Sequence, residues 1–518
     1  MKRSHNPAPP ATPRFPFTIM LFDDDIDDFT LEDAEEAEHI DIAAPKSEEI
    51  PEIPQEPEPD VTQILPEEVL TYIFEIAWSS SRVCTREGTR RAQHHLLRTV
   101  SSVCTRWRNA AHNTPLLWST IVLPIRPGLI WKWWQDVLKV YLERSRDTPL
   151  NLFFNLWTSD DEDIDSLFAM ISTHSHRWRR LSIDMVGSYD GSIARHMSSL
   201  CVTNLEHFSL KIRDRQPPKE PLVFFNSNAP KLTLFRMVTP THLSLPQSFA
   251  PSLKTLHLAP ASHQQQSWAM LKAALEALPL LQDLSIGHRF SAPYTRGNSN
   301  ASTRLTLPSL KRLRLAQTSD LDFYLDNIEA PFLTEVHLFL INLSQGWASR
   351  IRSPFPSPTF LSLRAIHSSP TNLRVFSTVF PNLRHISADE ATGIFPAVHV
   401  GPFQDAEHHV YLRDPNPGER IPAMELAFPK LQMLSLPWRY RPGDSTEIGI
   451  LLRGRKRVGS PILEFRISPE IWKALEEYGY TQEVEELTKV VVQENTPWIW
   501  PPGLEYDDPH GQIMSNFI

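Results

Sequence analysis

"PSLKRLRL", residues 308–315, places a leucine two residues after a proline and ends on two apolar residues separated by a basic one. The same frame, Pro-x-Leu-x-x-apolar-x-apolar, returns in "PKLTLFRM" from 230, "PSLKTLHL" from 251, "PLLQDLSI" from 279, "PFLTEVHL" from 331 and "PKLQMLSL" from 429. "TNLEHFSL" from 203 and "PNLRHISA" from 381 are looser copies, and "WRRLSI" from 178 and "FLSLRAI" from 360 read as degenerate ones. In each octet the last two apolar positions alternate, as they do when a short strand turns one face to a core and the intervening residue to the other side.

The third residues at 205, 232, 253, 281, 310 and 333 are 27, 21, 28, 29 and 23 apart. That is the period of leucine-rich repeats, about 20 to 29 residues. Between octets the chain carries runs of helical spacing, the clearest being "QSWAMLKAALEAL" at 266–278, which Pro279 ends because proline cannot continue a helix. The spacing predicts an α/β repeat, an irregular solenoid or horseshoe over 148–467. The 48 residues between 383 and 431 hold either a degenerate copy near "HHVYLRD" at 408 or an insertion. No copy carries the asparagine that hydrogen-bonds the turn in regular solenoids. "SPEIWKALEEYGYTQEVEELTKVVVQ", in a region taken as 468–518, has two helical stretches suited to capping the array.

The formal charge of −10 is unevenly placed. Residues 21–60 carry eight Asp, nine Glu and one Lys, so the remaining chain is slightly basic. With prolines at 51, 54, 57 and 59 and few apolar residues, 1–60 is expected to be a disordered acidic tail. The 46 prolines of the 518 residues imply many short elements. Cys84, Cys104 and Cys201 form no pair at metal or disulfide spacing, which points to a reducing compartment, cytoplasmic or nuclear. No run approaches the roughly 18 apolar residues of a membrane span, and no membrane partner is expected.

From residue 61 the composition changes. In "ILPEEVLTYIFEIAW", 64–78, Pro66 suits a first helical turn, Glu67 and Glu68 complement the helix dipole, and Val69, Leu70, Ile73, Phe74 and Ala77 recur at helical spacing. A polar, basic stretch, 79–93, reads as a loop. A second periodic run from His95 places Leu97, Val100, Cys104, Trp107 and Ala111 on one stripe, and ends near Pro115, which disfavours helical geometry at Thr114. "LIWKWWQDVLKVYLERS", 129–145, forms a further amphipathic helix, taken as a link over 124–147.

Catalytic signatures are missing: there is no GxSxG, Walker loop, GxGxxG, HExxH or CxxC pair. His94 with His95, His174 with His176, and His408 with His409 lack a third ligand at a metal-binding spacing. "GRKRVGS", 454–460, is basic but short and reads as a solvated loop, and a nearly neutral body lacks the positive field that nucleic acid requires. No enzyme activity, cofactor, metal or nucleic-acid partner is expected.

Three groups of residues in order, Leu65-Pro66-x-Glu68, Val103-Cys104-x-x-Trp107-Arg108 and Pro115-x-x-Trp118, resemble an F-box, here 61–123, with a longer loop at 79–95 than the compact form. With proline-led repeats behind it, the chain is similar to a large group of F-box proteins in mushroom-forming fungi. The resemblance implies a three-helix module docking on the Skp adaptor of a cullin-RING ubiquitin ligase through Leu65, Pro66, Leu70, Phe74, Val103, Cys104, Trp107 and Trp118. Trp107 and Trp118 also read as plain core residues. The repeats would then hold an unknown target protein on outward residues of the octets, such as Lys254 and His257, Lys311 and Arg314, and Thr334 and His337. The alternative is an interaction scaffold whose F-box no longer assembles a ligase.

Overall fold

A computed structural model describes residues 65–81 and most of 96–493; residues 1–64, 82–95, 214–223, 240–251, 292–303, 413–425 and 494–518 and several shorter stretches lie outside the described residues. The expected disorder of 1–60, and the polar stretch beyond Ser81, therefore fall outside it. Among the described residues one parallel sheet of 14 strands dominates, and each strand pairs with the next one along the chain. Its strands are β1 (Thr120–Ile125), β2 (Leu150–Leu156), β3 (Trp178–Val186), β4 (His207–Arg213), β5 (Leu234–Thr239), β6 (Thr255–Pro260) and β7 (Asp283–Gly287). They continue as β8 (Arg312–Ala316), β9 (Glu335–Phe339), β10 (Phe360–Arg364), β11 (His385–Ala388), β12 (Met433–Leu436), β13 (Glu464–Ile467) and β14 (Lys489–Val492).

Each octet builds one rung. Its leucine, as at Leu253, Leu281, Leu310 and Leu333, is fully or almost fully buried, and the two alternating apolar residues form continuous columns under the sheet. One column runs Phe208, Phe235, Leu256, Leu284, Leu313, Val336 and Leu361 in register. Two helices, α1 (Glu67–Ser81) and α2 (Thr105–Asn113), precede the sheet, and the segments that return between its strands carry α3 (Trp131–Arg144), α4 (Asp161–Ser172), α5 (Ser192–Ser198), α6 (Trp268–Glu276) and α7 (Leu321–Asn327). Leu138, Phe168, Ile193, Leu275 and Tyr324 from these helices belong to the same apolar cluster as the strand columns.

Ahead of each strand from β5 to β13, the fourth octet residue of the preceding repeat offers one carbonyl to two successive N–H groups. Lys254 O accepts from Gln282 N (2.8 Å) and Asp283 N (3.0 Å), Gln282 O from Lys311 N and Arg312 N, and Lys311 O from Thr334 N and Glu335 N. The octet's second residue adds a stitch that its composition does not announce. Ser309 Oγ donates to Pro279 O (2.7 Å), Ser357 Oγ to Pro331 O (2.6 Å) and Asn382 Nδ2 to Pro356 O (2.6 Å). These side chains tie the strand-entry turns of consecutive repeats, a task for which the sequence offered no regular asparagine.

Several expectations are corrected. The sheet starts at Thr120, directly after a short 3-10 turn at Pro115–Trp118 and well before the repeats expected from 148. Hydrophobic runs outside the octet frame, such as "LNLFFNL" of β2, hid the early strands because both of their faces are covered. Between β11 and β12 no strand of the large sheet intervenes; the segment holds α8 (Ala391–Val398) and an antiparallel pair, Phe403–Ala406 with His409–Leu412. The copy near 408 is thus an insertion. At the other end α10 (Pro469–Glu477) and α11 (Thr481–Leu487) are followed by β14, so the expected helical cap also carries a strand.

The basic stretch at 454–460 is no solvated loop. It ends α9 (Asp444–Arg457), and Arg455 is wholly buried. Its guanidinium donates to the carbonyls of Val398 (3.2 Å), Ala427 (3.1 Å), Phe428 (2.8 Å) and Ser460 (3.0 Å) and to Ser460 Oγ (2.7 Å). Burial pulls its pKa down to about 10. Among the described residues no helix is long and apolar enough to cross a membrane.

Candidate functional site

Pro66 opens α1, its carbonyl accepting from Val69 N (3.1 Å) and Leu70 N (3.2 Å), while Glu67 and Glu68 sit against the positive end of the helix. The helix is apolar on two sides. Leu70, Phe74 and Trp78, spaced by four, are at most 2% exposed and face the core. Val69 (39% exposed), Tyr72 (63%), Ile73 (40%) and Ile76 (48%), spaced by three, one and three, form a second stripe that no described element covers.

Cys104 caps α2, its sulfur accepting from Trp107 N at 3.5 Å. The Arg106 side chain donates to Leu65 O, which brings the start of α2 to the start of α1. Val103, half exposed at 50%, immediately precedes this junction, at the end of a helical run over 99–103. Trp107 is half-buried, edge-on to Phe74 with ring centroids 5.3 Å apart. Trp118 is buried; its Nε1 donates to Ala111 O (2.8 Å), Tyr141 meets its ring edge-on at 5.1 Å, and the Arg144 guanidinium lies 4.4 Å over it. Burial in that cluster raises the Tyr141 phenol to about 12 and, with Arg144 and Arg108 nearby, lowers the His112 pKa. Trp118 thus holds the end of α2 against α3.

This segment matches the F-box-like family model over residues 62–124. Residues 62–124 are an F-box-like domain. No curated protein matches the chain. F-box domains are non-catalytic adaptor modules, often part of Skp-cullin-F-box complexes. Among the described residues no group of three or more His, Cys, Asp or Glu side chains is placed to hold a metal ion.

Within the F-box-like domain the eight residues named for the adaptor separate into two sets. Leu65, Pro66, Val103, Cys104 and Trp107 keep exposed or half-exposed surface, whereas Leu70, Phe74 and Trp118 are core. The division has a simple cause: Leu70 and Phe74 share a period of four that points at α2, and the outward stripe is displaced from it around the helix. Tyr72 and Ile76 were missed, although apolar residues outside the core-facing stripe of α1 are a sign of a second face to be covered.

The residues named for target binding also fall into two columns. Lys254, Lys311 and Thr334 are exposed and stand on one row of carbonyl rungs, with Gln282 between Lys254 and Lys311. His257, Arg314 and His337 align across the sheet through Ser285, but are 0%, 3% and 7% exposed. Outward residues of a parallel sheet flank one another at about 4.8 Å, and here ion pairs and a histidine hydrogen bond draw them down further. Asp283 pairs with Arg314 and with Arg312 (3.4 Å), and Glu335 with Arg312 (2.9 Å) and His337 (3.4 Å). Burial pushes the His337 pKa down to about 4; burial, then Arg236 and Arg314, hold His257 well below its usual value. The face is a packed polar layer in which those three side chains have little surface to offer.

Proposed function

We propose that the chain is a substrate receptor of a Skp-cullin-F-box ubiquitin ligase, its F-box-like domain docking on the Skp adaptor and its β/α repeats, read as leucine-rich repeats, holding a target protein. The observation that carries the proposal is the outward stripe Val69, Tyr72, Ile73 and Ile76 on the first helix of that domain. A contiguous exposed apolar stripe on a helix fits a protein interface. Leu65, Pro66, Val103, Cys104 and Trp107 extend the docking surface, and Leu70, Phe74 and Trp118 serve it indirectly by holding the helices in place.

Capture of purified Skp adaptor by the full chain tests this. Ile73→Asp should leave the melting temperature within a degree or so and reduce capture about thirtyfold or more, because a charge would be buried unpaired in the interface centre. Leu70→Ala should instead lower stability by about 2 to 5 kcal/mol. Absence of capture by the wild-type chain would leave the scaffold reading, in which the F-box no longer assembles a ligase.

A further inference from the structure

The strand-entry edge of the sheet differs from its packed face. Lys254, Gln282, Lys311, Thr334, Thr359, Arg384 and Gln432 stand on consecutive rungs, aligned by the carbonyl bonds that join each repeat to the next. Lys254, Lys311 and Arg384 are exposed and form no ion pair among the described residues. From Lys254 to Gln432 the row holds no acidic residue, Glu206 two rungs upstream is paired with Arg179 (3.0 Å), and the nearest carboxylates on the following column, Asp283 and Glu335, are already paired with Arg312, Arg314 and His337.

At the octet's second position, where Ser309, Ser357 and Asn382 stitch neighbouring repeats, two repeats substitute bulky apolar groups. Leu280 is 45% exposed and Phe332 66%. Neither can make the stitch. Leu280 lies on the rung between Lys254 and Lys311, and Phe332 on the rung after Lys311. Cations and apolar side chains therefore alternate along one edge.

We propose that this edge binds an extended acidic segment of the target protein that carries bulky apolar side chains between its carboxylates. The inference rests on the receptor reading and names the class of target segment. At a strand spacing of about 4.8 Å, Lys254 and Lys311 are about 10 Å apart and Lys311 and Arg384 about 14 Å. An extended chain advances about 3.3 Å per residue, so carboxylates three or four residues apart meet successive cations while the residues between reach Leu280 and Phe332.

The test uses the purified full chain and a fluorescein-labelled 12-residue peptide with Glu at every third position and Phe and Ser between, read by anisotropy at low and high salt. Control peptides replace Glu by Lys or Phe by Ser, and an oligothymidine of similar length tests nucleic acid. The wild type should bind the Glu-Phe peptide over both controls and the oligothymidine, with affinity falling as salt rises. Lys254→Glu with Lys311→Glu and Arg384→Glu should weaken binding about tenfold or more, mainly through association rate. Phe332→Ser should weaken it severalfold at every salt concentration. Lys311→Glu alone, should the triple variant unfold, must show a partial loss. Equal binding of the Lys peptide or of oligothymidine, no binding by the wild type, or an unaffected triple variant overturns the proposal. Adaptor capture run in parallel separates the two readings. A triple variant that keeps adaptor capture and loses the peptide supports the edge, and a wild type that binds the peptide but no adaptor leaves the edge intact while the ligase reading falls.

Discussion

Arg455 shows how one side chain closes a junction that the repeat pattern leaves open. It gathers carbonyls from α8, from the segment before β12 and from its own helix end, and Phe428, one of the acceptors, sits at φ 54°, a left-handed conformation that costs a bulky residue about 1 to 2 kcal/mol. Replacing Arg455 by Ala should cost about 3 kcal/mol or more in urea unfolding, since several buried acceptors lose their donor. Arg455→Lys should recover less than half of that, because an ammonium cannot span the same acceptors. A loss within experimental error for the alanine variant would refute the role. The buried His337 makes a second residue-level prediction. Its pKa is about 4 in the fold against about 6.5 unfolded, so the unfolded chain takes up the proton first as pH falls. Its contribution to stability is intact above pH 6.5 and drains away between 6.5 and 4, by about 1.4 kcal/mol at pH 5.5. His337→Gln should therefore lose less stability than the wild type between pH 7 and 5.5; identical slopes would sink the assignment.

At the scale of the element, the octet does two jobs with unequal energies. Its leucine fills the core, and its second residue stitches the turn. Leu310→Ala should destabilise by about 2 to 5 kcal/mol, whereas Ser309→Ala, which removes a largely exposed bond to Pro279 O, should cost about 0.5 to 1 kcal/mol. Comparable losses for both, measured by denaturant midpoints, would show that the turns carry more of the stability than the core columns. The octets were legible because proline, leucine and alternating apolar residues each have one physical reason to sit where they do. The stitch was not, since a serine at an exposed position has no distinctive pattern until its acceptor, a proline carbonyl some 30 residues away, is in place. α1 was legible as a helix but not in its orientation. Its two apolar stripes are equivalent in sequence, and only the packing of Phe74 against Trp107 selects which one turns inward.

For the molecule from Leu65 onward, one apolar cluster runs from Leu70 to Val484, so the F-box-like domain and the sheet share a core. Trp118 is the joint: it bonds Ala111 in the domain and packs on Tyr141 of α3, while β1 begins two residues later. Trp118→Ala should accordingly lower the melting temperature and reduce adaptor capture together, in contrast to Ile73→Asp, which separates the two. A Trp118→Ala chain with unchanged melting and reduced capture would place this tryptophan on the interface instead of in the joint.

By itself the sequence determined the class of the fold, because a proline-led octet recurring every 21 to 29 residues leaves stacked parallel strands as the way to bury its leucines. It also determined the place of the F-box-like domain, whose tryptophans, cysteine and prolines stand in a distinctive order. Which surfaces remain for partners was decided only by the tertiary structure. Burial of His257, Arg314 and His337 depends on neighbours contributed by other strands, and the exposure of Tyr72, Lys311 and Phe332 depends on what fails to cover them. Such solvent access is a property of contacts between distant segments, and local periodicity carries no record of it.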